Sequence, residues 1–232
     1  MDLYPVNLNI AGRTCVIVGG GAVAMRKAGP LLDCGARVVL ISPEAASPLE
    51  EMAESGKLQW HARKYRQGDL QGAFLAFAAT DDPRVQQTVA AEAQREGVLC
   101  NSADAPEGCS FQVPARVRRG NFLLTVSTGG GSPALAAKLR RELAEQYGEE
   151  YKQFVDLLGA IRRRVVTDGQ TSESHRILFE KLLQLNILPR IRQENWLVLQ
   201  EELMEVLPKE VDVEELIQCL RGIDEKEHGS SG

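Results

Sequence analysis

An α/β fold is what this sequence predicts: a Rossmann-like doubly wound parallel sheet, then short strands with a helix, then an all-helical C-terminal part. Three observations carry that reading. A short apolar, β-branched run at 14–18 leads straight into Gly19-Gly20-Gly21 and a helix-forming segment. Strand-like runs then alternate with helix-length segments as far as about residue 101, the pattern of parallel strands joined by crossover helices. From about residue 148 onward no strand pattern appears. The divisions expected are 1–112, 113–147 and 148–232.

The glycine turn is the organising stretch. In the spacing G-x-G-x-x-A, Gly19 permits a tight strand-to-helix turn, and Gly21 leaves room for a pyrophosphate to approach the backbone. Ala24 occupies the third small-residue slot, where the helix packs close to the strand. The first turn of that helix, Ala22 and Val23, offers free N–H groups to phosphate charge. The helix reads over 22–34 with Gly35 as its C-cap, and a second strand reads over 37–41. Residues 14–41 thus make one βαβ unit, close to the roughly 30 residues such a unit takes. In NAD-binding units an acid about 20 residues past the glycines takes the ribose hydroxyls. The second strand here runs into Ser42-Pro43-Glu44, and Glu44 is the nearest such acid. No Lys or Arg lies between Val38 and Glu50 to receive a 2′-phosphate, which favours NAD over NADP.

Further along, 43–55 reads as a helix closing at Gly56, 57–61 as a strand, and 73–79 as a buried parallel strand. That strand ends in Thr80-Asp81-Asp82-Pro83, where an open α/β sheet places ligand groups and where Asp-Pro also starts the next helix, 84–96. Residues 97–101 form a fifth strand, followed by a loop at 102–109. Strands are expected at 110–114 and 121–127 with the basic turn Arg116-Val117-Arg118-Arg119-Gly120 between them. Thr128-Gly129-Gly130-Gly131-Ser132-Pro133 then opens a helix over 134–147, with Ser132 as N-cap and Pro133 at the first helical position. Helices follow near 151–166, 172–185, 194–207 and 211–219.

Composition narrows the function. The chain has 232 residues, 44% hydrophobic and 25% charged, with a net charge of -5, so nothing points to nucleic acid or anionic membrane. The opening residues carry no basic, apolar secretory pattern, and no run reaches the roughly 18 apolar residues of a membrane span. Five cysteines are scattered without C-x-x-C spacing, and the three histidines are far apart, so no metal-ligand cluster is expected. A cytoplasmic protein with reduced thiols is the expectation, and the closing His-Gly-Ser-Ser-Gly is set aside as a tail.

The motifs GGGAVAMRKA, ATDDP, NSADAPEGCSF and VSTGGGSPALAAKLR, in that order, resemble the precorrin-2 dehydrogenase/sirohydrochlorin ferrochelatase family, the N-terminal module of siroheme synthase. The resemblance covers about residues 1–165. It implies oxidation of precorrin-2 to sirohydrochlorin with NAD, and Fe2+ insertion as a second activity in which the ion is a substrate. It places the family's catalytic aspartate on Asp104 and its phosphate-cradling glycines on Gly19, Gly20 and Gly21. It makes 113–147 the dimerisation and active-site region of a homodimer. A tetrapyrrole bearing many carboxylates suits Arg116 and the helix start at Thr128, Gly129 and Ser132. Thr128 stands where bifunctional members commonly carry serine, and it keeps the hydroxyl. The rival classes are a dehydrogenase without chelatase activity and an NAD(H)-sensing regulatory module. A pure sensor would have no need of the second motif set.

Overall fold

The computed structural model describes residues 3–102, 109–165 and 172–222, which form two compact units, Met1–Val113 and Pro114–Gly232. The first unit holds one sheet of five strands: β1 (Thr14–Val18), β2 (Arg37–Ile41), β3 (Gln59–His61), β4 (Leu75–Ala78) and β5 (Leu99–Ser102). Their order is β3-β2-β1-β4-β5 and every pairing is parallel. Helices α1 (Ala22–Asp33), α2 (Ser47–Glu54) and α3 (Pro83–Glu96) cover the sheet. This is a doubly wound Rossmann-like sheet, with β1 and β4 at the point where the strand order reverses.

Burial explains the apolar runs. Along β1, Cys15 and Ile17 join one cluster with Ala24, Ala28 and Leu31 of α1, while Val16 and Val18 join another with Val89 and Ala93 of α3. Both faces of the sheet are therefore covered, and a strand covered on both faces must be apolar throughout. Each such large side chain contributes about 1.5–3 kcal/mol when buried. Ala24 and Ala28, both wholly buried, let α1 lie close against the sheet.

β3 and β4 are joined by the turn-rich segment 62–74 rather than by a helix. Polar contacts hold it. The buried Glu92 of α3 accepts from the Tyr65 hydroxyl at 2.6 Å and from the backbone N–H groups of Gly68 and Leu70 at 2.9 and 3.1 Å. Burial, and then Glu92 itself, push the Tyr65 hydroxyl well above the usual tyrosine range. Arg63 meets Asp69 through two bonds of 2.8 and 2.7 Å, and Asp69 also accepts from Arg66 N.

The Arg63 guanidinium holds the Asp69 carboxyl below its ordinary value. A carboxyl with a depressed folded value stabilises the fold above its unfolded value of about 3.9, and that stabilisation fades as pH falls through the folded value. Asp69→Asn is therefore expected to lower the urea midpoint at pH 7 by more than it does at about pH 3. A deficit of equal size at both pH values would contradict an ionic role for the pair.

The second unit opens with an antiparallel hairpin, β6 (Ala115–Arg119) and β7 (Phe122–Val126), followed by α4 (Pro133–Gln146). Five further helices complete it: α5 (Glu150–Val165), α6 (Ser172–Gln184), α7 (Ile187–Arg192), α8 (Trp196–Val206) and α9 (Val213–Leu220). Leu157, Ile161 and Val165 recur every fourth residue on α5 and meet Leu182, Ile187, Ile191, Leu199, Leu203, Leu216 and Ile217 in one core. Phe122, Tyr147, Tyr151 and Phe154 form a run of ring contacts that ties the hairpin to α5, with Phe122 and Tyr151 stacked at 4.9 Å.

Two expectations need correction. Residues 110–114 are not a strand, and Arg116, Arg118 and Arg119 lie within β6 rather than in a turn. The alternation decides this: Val117 is buried between the exposed Arg116 and Arg118, and Gly120, at φ +56, makes the two-residue turn with Asn121. Pro189 does not merely separate helices, because it lies in the first turn of α7, where no intrahelical N–H is required.

Candidate functional site

The cofactor-site residues expected from sequence converge at the carboxyl ends of β1, β2 and β4. Gly19 N donates to Ile41 O at 2.9 Å and Ala79 N to Val18 O at 2.8 Å, so the glycine turn is fastened between the strands on either side. Gly20 O accepts from Ala46 N at 2.8 Å, which draws the Ser42-Pro43-Glu44 segment against it. Trp60 Nε1 donates to Ser42 O at 2.9 Å and pins that segment from β3. Ser42 is buried, whereas Pro43 and Glu44 are exposed.

The three glycines differ in what they do. Gly19 sits at φ +116, and a Cβ there would lie 2.6 Å from the Ala79 carbonyl carbon. A Cβ on Gly20 would lie 2.9 Å from both Ala45 Cα and Ser42 Oγ. Those two are demanded by packing. Gly21 is the N-cap of α1, and a Cβ on it would meet nothing within 4 Å. No side chain caps this helix start, and no acid stands in its first turn. The N–H groups of Ala22 and Val23 therefore begin a helix with open space beside its N-cap and no side-chain partner there, which fits a pyrophosphate.

Thr80 and Asp81 follow β4, and Thr80 N would lie 3.0 Å from a Cβ on Gly19. Asp82 caps α3, its Oδ1 accepting from Arg84 N at 2.9 Å. Gln86 was not among the residues expected from sequence. Its Nε2 donates to Thr80 O at 2.6 Å, and its Oε1 accepts from Ser102 Oγ at 3.4 Å, so it links the ends of β4 and β5. Arg63, which follows β3 in the chain, was likewise not among the residues expected; it is held by Asp69.

Asp104 lies outside the described residues. Arg116, Thr128, Gly129 and Ser132 belong to the second unit. Arg116 is exposed and sits opposite Thr125 in the hairpin. Thr128 Oγ1 accepts from Ser132 N at 3.1 Å and Thr128 O from Gly131 N at 2.9 Å, while Ser132 Oγ accepts from Leu135 N at 3.2 Å. Thr128, Gly129 and Ser132 thus form one loop at the start of α4. Arg119 is committed elsewhere, donating to the carbonyls of Ala144 and Tyr147 at the end of α4. Among the described residues no three His, Cys, Asp or Glu side chains converge, and no helix is long and apolar enough to cross a membrane.

Sheet order, glycine turn and open helix start together define a dinucleotide-binding protein of the Rossmann class. Comparison with known proteins is consistent with that class and narrows it. An NAD(P)-binding family model matches residues 6–115, and the sirohaem biosynthesis protein central model matches residues 124–146. Siroheme synthase of Nitrosococcus oceani is 36% identical over 191 residues, 82% of this chain and 41% of that protein. Siroheme synthase of Nitrosomonas eutropha is 34% identical over 213 residues, 91% of this chain and 45% of that protein. The chain therefore spans less than half the length of these curated relatives. The solved structure of SirC, a precorrin-2 dehydrogenase, superposes with a TM-score of 0.67 at 26% identity, covering 83% of this chain and 98% of that one. The chain is thus similar to siroheme synthases over part of their length and to SirC over nearly all of it, and it carries the NAD(P)-binding and sirohaem biosynthesis central models.

Proposed function

We propose that this chain oxidises precorrin-2 to sirohydrochlorin with NAD as hydride acceptor, as a step of siroheme biosynthesis. The observation that carries the reading is the open space at Gly21, at the reversal point of the sheet, in a chain that matches SirC over 98% of SirC's length. In this proposal Gly19, Gly20 and Gly21 and the N–H groups of Ala22 and Val23 hold the pyrophosphate. Ser42, Pro43 and Glu44 hold the adenosine ribose, and the absence of a free guanidinium between Val38 and Glu50 keeps the preference on NAD. Thr80 and Asp81 border the nicotinamide half. When bound, NAD supplies the acceptor for a hydride from a ring carbon. That two-electron oxidation also releases one proton, and Asp104 is the proposed base that takes it. Arg116, Thr128, Gly129 and Ser132 are proposed to receive substrate carboxylates.

Residues 113–147 are proposed as the dimerisation region of a cytoplasmic homodimer. The second unit supports this. Its hairpin leaves both strand edges unpaired, α4 has no buried side chain, and Leu123 and Leu135 are 41% and 47% exposed. Fe2+ insertion to give siroheme is a second proposed activity, in keeping with similarity to proteins named siroheme synthase.

Asp104→Ala is the direct test of the chemistry. Turnover of precorrin-2 is expected to fall about 100- to 10,000-fold, the usual contribution of a positioned base, with NAD affinity unchanged. Turnover at the parent rate would remove Asp104 from the mechanism.

A further inference from the structure

Lys27 is not used by the site as described so far, and its surroundings are unusual for a lysine. It stands on the second turn of α1, and its Nζ lies over the Phe77 ring, 5.3 Å from the centroid. Phe77 is buried in β4 and meets Phe111 edge-on at 5.6 Å. The Cys109 sulfur is near enough to act on the Lys27 charge, and accepts from Ser102 N at 3.1 Å. Asn101 Nδ2, donating to Phe111 O at 3.1 Å, closes the group. Among the described residues no carboxylate pairs with this ammonium, and the neighbouring charge is that of Arg26. Burial, and then Arg26, hold its amine below the ordinary lysine value, while Cys109 acts the other way.

A lysine on a helix surface normally extends its amine into water. This one folds inward against a ring, where solvation is poor and none of the described residues supplies a counter-ion. A partly desolvated cation is stabilised when an anion arrives. Its place decides which anion. Phe77 is the last residue but one of β4 and Ser102 the last of β5, so Nζ sits at the carboxyl edge of the sheet, where open α/β sheets bind ligands. It is on the β4–β5 side, whereas Ser42 and Glu44, the ribose residues, follow β2 on the other side of β1.

We propose that Lys27 is a positioning residue that receives a carboxylate of a polycarboxylate tetrapyrrole at the β4–β5 end of the crevice. The inference rests on the precorrin-2 reading above. It is tested on the full chain with two probes, sirohydrochlorin and NAD, each titrated by tryptophan fluorescence against the parent, Lys27→Met and Lys27→Arg. Lys27→Met is expected to weaken sirohydrochlorin binding about tenfold or more, the loss typical of one charge-assisted contact. The KM for precorrin-2 should rise by a similar factor with kcat little changed, NAD affinity should hold within about twofold, and Lys27→Arg should restore most of the loss. A fall in NAD affinity alone would assign the cation to the dinucleotide and overturn the proposal. A drop in melting temperature with tetrapyrrole affinity intact would overturn it too, making Lys27 the partner of a carboxylate of its own chain. If the parent chain itself neither binds sirohydrochlorin nor oxidises precorrin-2, the underlying functional reading fails, and this one with it.

Discussion

Gly21→Ala is expected to abolish dinucleotide binding while leaving the fold intact. The backbone at Gly21, φ -88 and ψ -165, is open to alanine, and the added methyl touches nothing within 4 Å. The stability change should be about 1 kcal/mol or less, the scale of an N-cap substitution. The methyl would stand in the open space beside the α1 N-terminus, so NAD affinity should fall about 100-fold or more, since the pyrophosphate could no longer reach its N–H groups. Gly19→Ala and Gly20→Ala should behave differently. Each drives a Cβ into backbone, of Ala79 in one case and of Glu44 and Ala45 in the other, so both should lose stability as well as binding. Melting curves beside NAD titrations separate the two kinds of glycine. Undiminished NAD binding by Gly21→Ala would mean that the turn is not the phosphate cradle.

Glu92→Ala carries the largest expected loss of stability. The carboxylate is 1% exposed and accepts three hydrogen bonds, from Tyr65 and from the backbone of Gly68 and Leu70. Removing it leaves those donors without their partner and opens a cavity. At about 1–3 kcal/mol per orphaned donor, a total loss on the order of 3–5 kcal/mol follows. Each unit holds one of the two tryptophans, Trp60 in the first and Trp196 in the second. In a Trp196→Phe background, the Trp60 signal should shift to lower urea by the full amount, while Tyr65→Phe shifts it by about 1 kcal/mol. An unchanged Trp60 midpoint in Glu92→Ala would show that the 62–74 segment is held by something other than this carboxylate.

The strands and the glycine turn were legible because both arise from local pattern. A strand covered on two faces leaves a continuous apolar run, and Gly19-Gly20-Gly21 marks the turn by the absence of Cβ atoms. The hairpin was misplaced by its charges. Three arginines read as a turn, yet Val117 between Arg116 and Arg118 and the Gly120-Asn121 pair carry the register of a two-residue hairpin. Helix α7 was missed because Pro189 reads as a breaker unless its place in the first turn is known. Gln86, Glu92 and Lys27 were illegible for a different reason. Each is an ordinary helix-surface residue in sequence, and its role arises only when the sheet order brings distant segments beside it, as Glu92 meets Tyr65 across 27 positions.

The most direct measurement is anaerobic absorbance after mixing the chain with precorrin-2 and NAD. The account predicts that sirohydrochlorin and NADH appear together in equal amounts. A flat spectrum, with NAD still bound, would leave a dinucleotide-binding fold standing and contradict the proposed dehydrogenase.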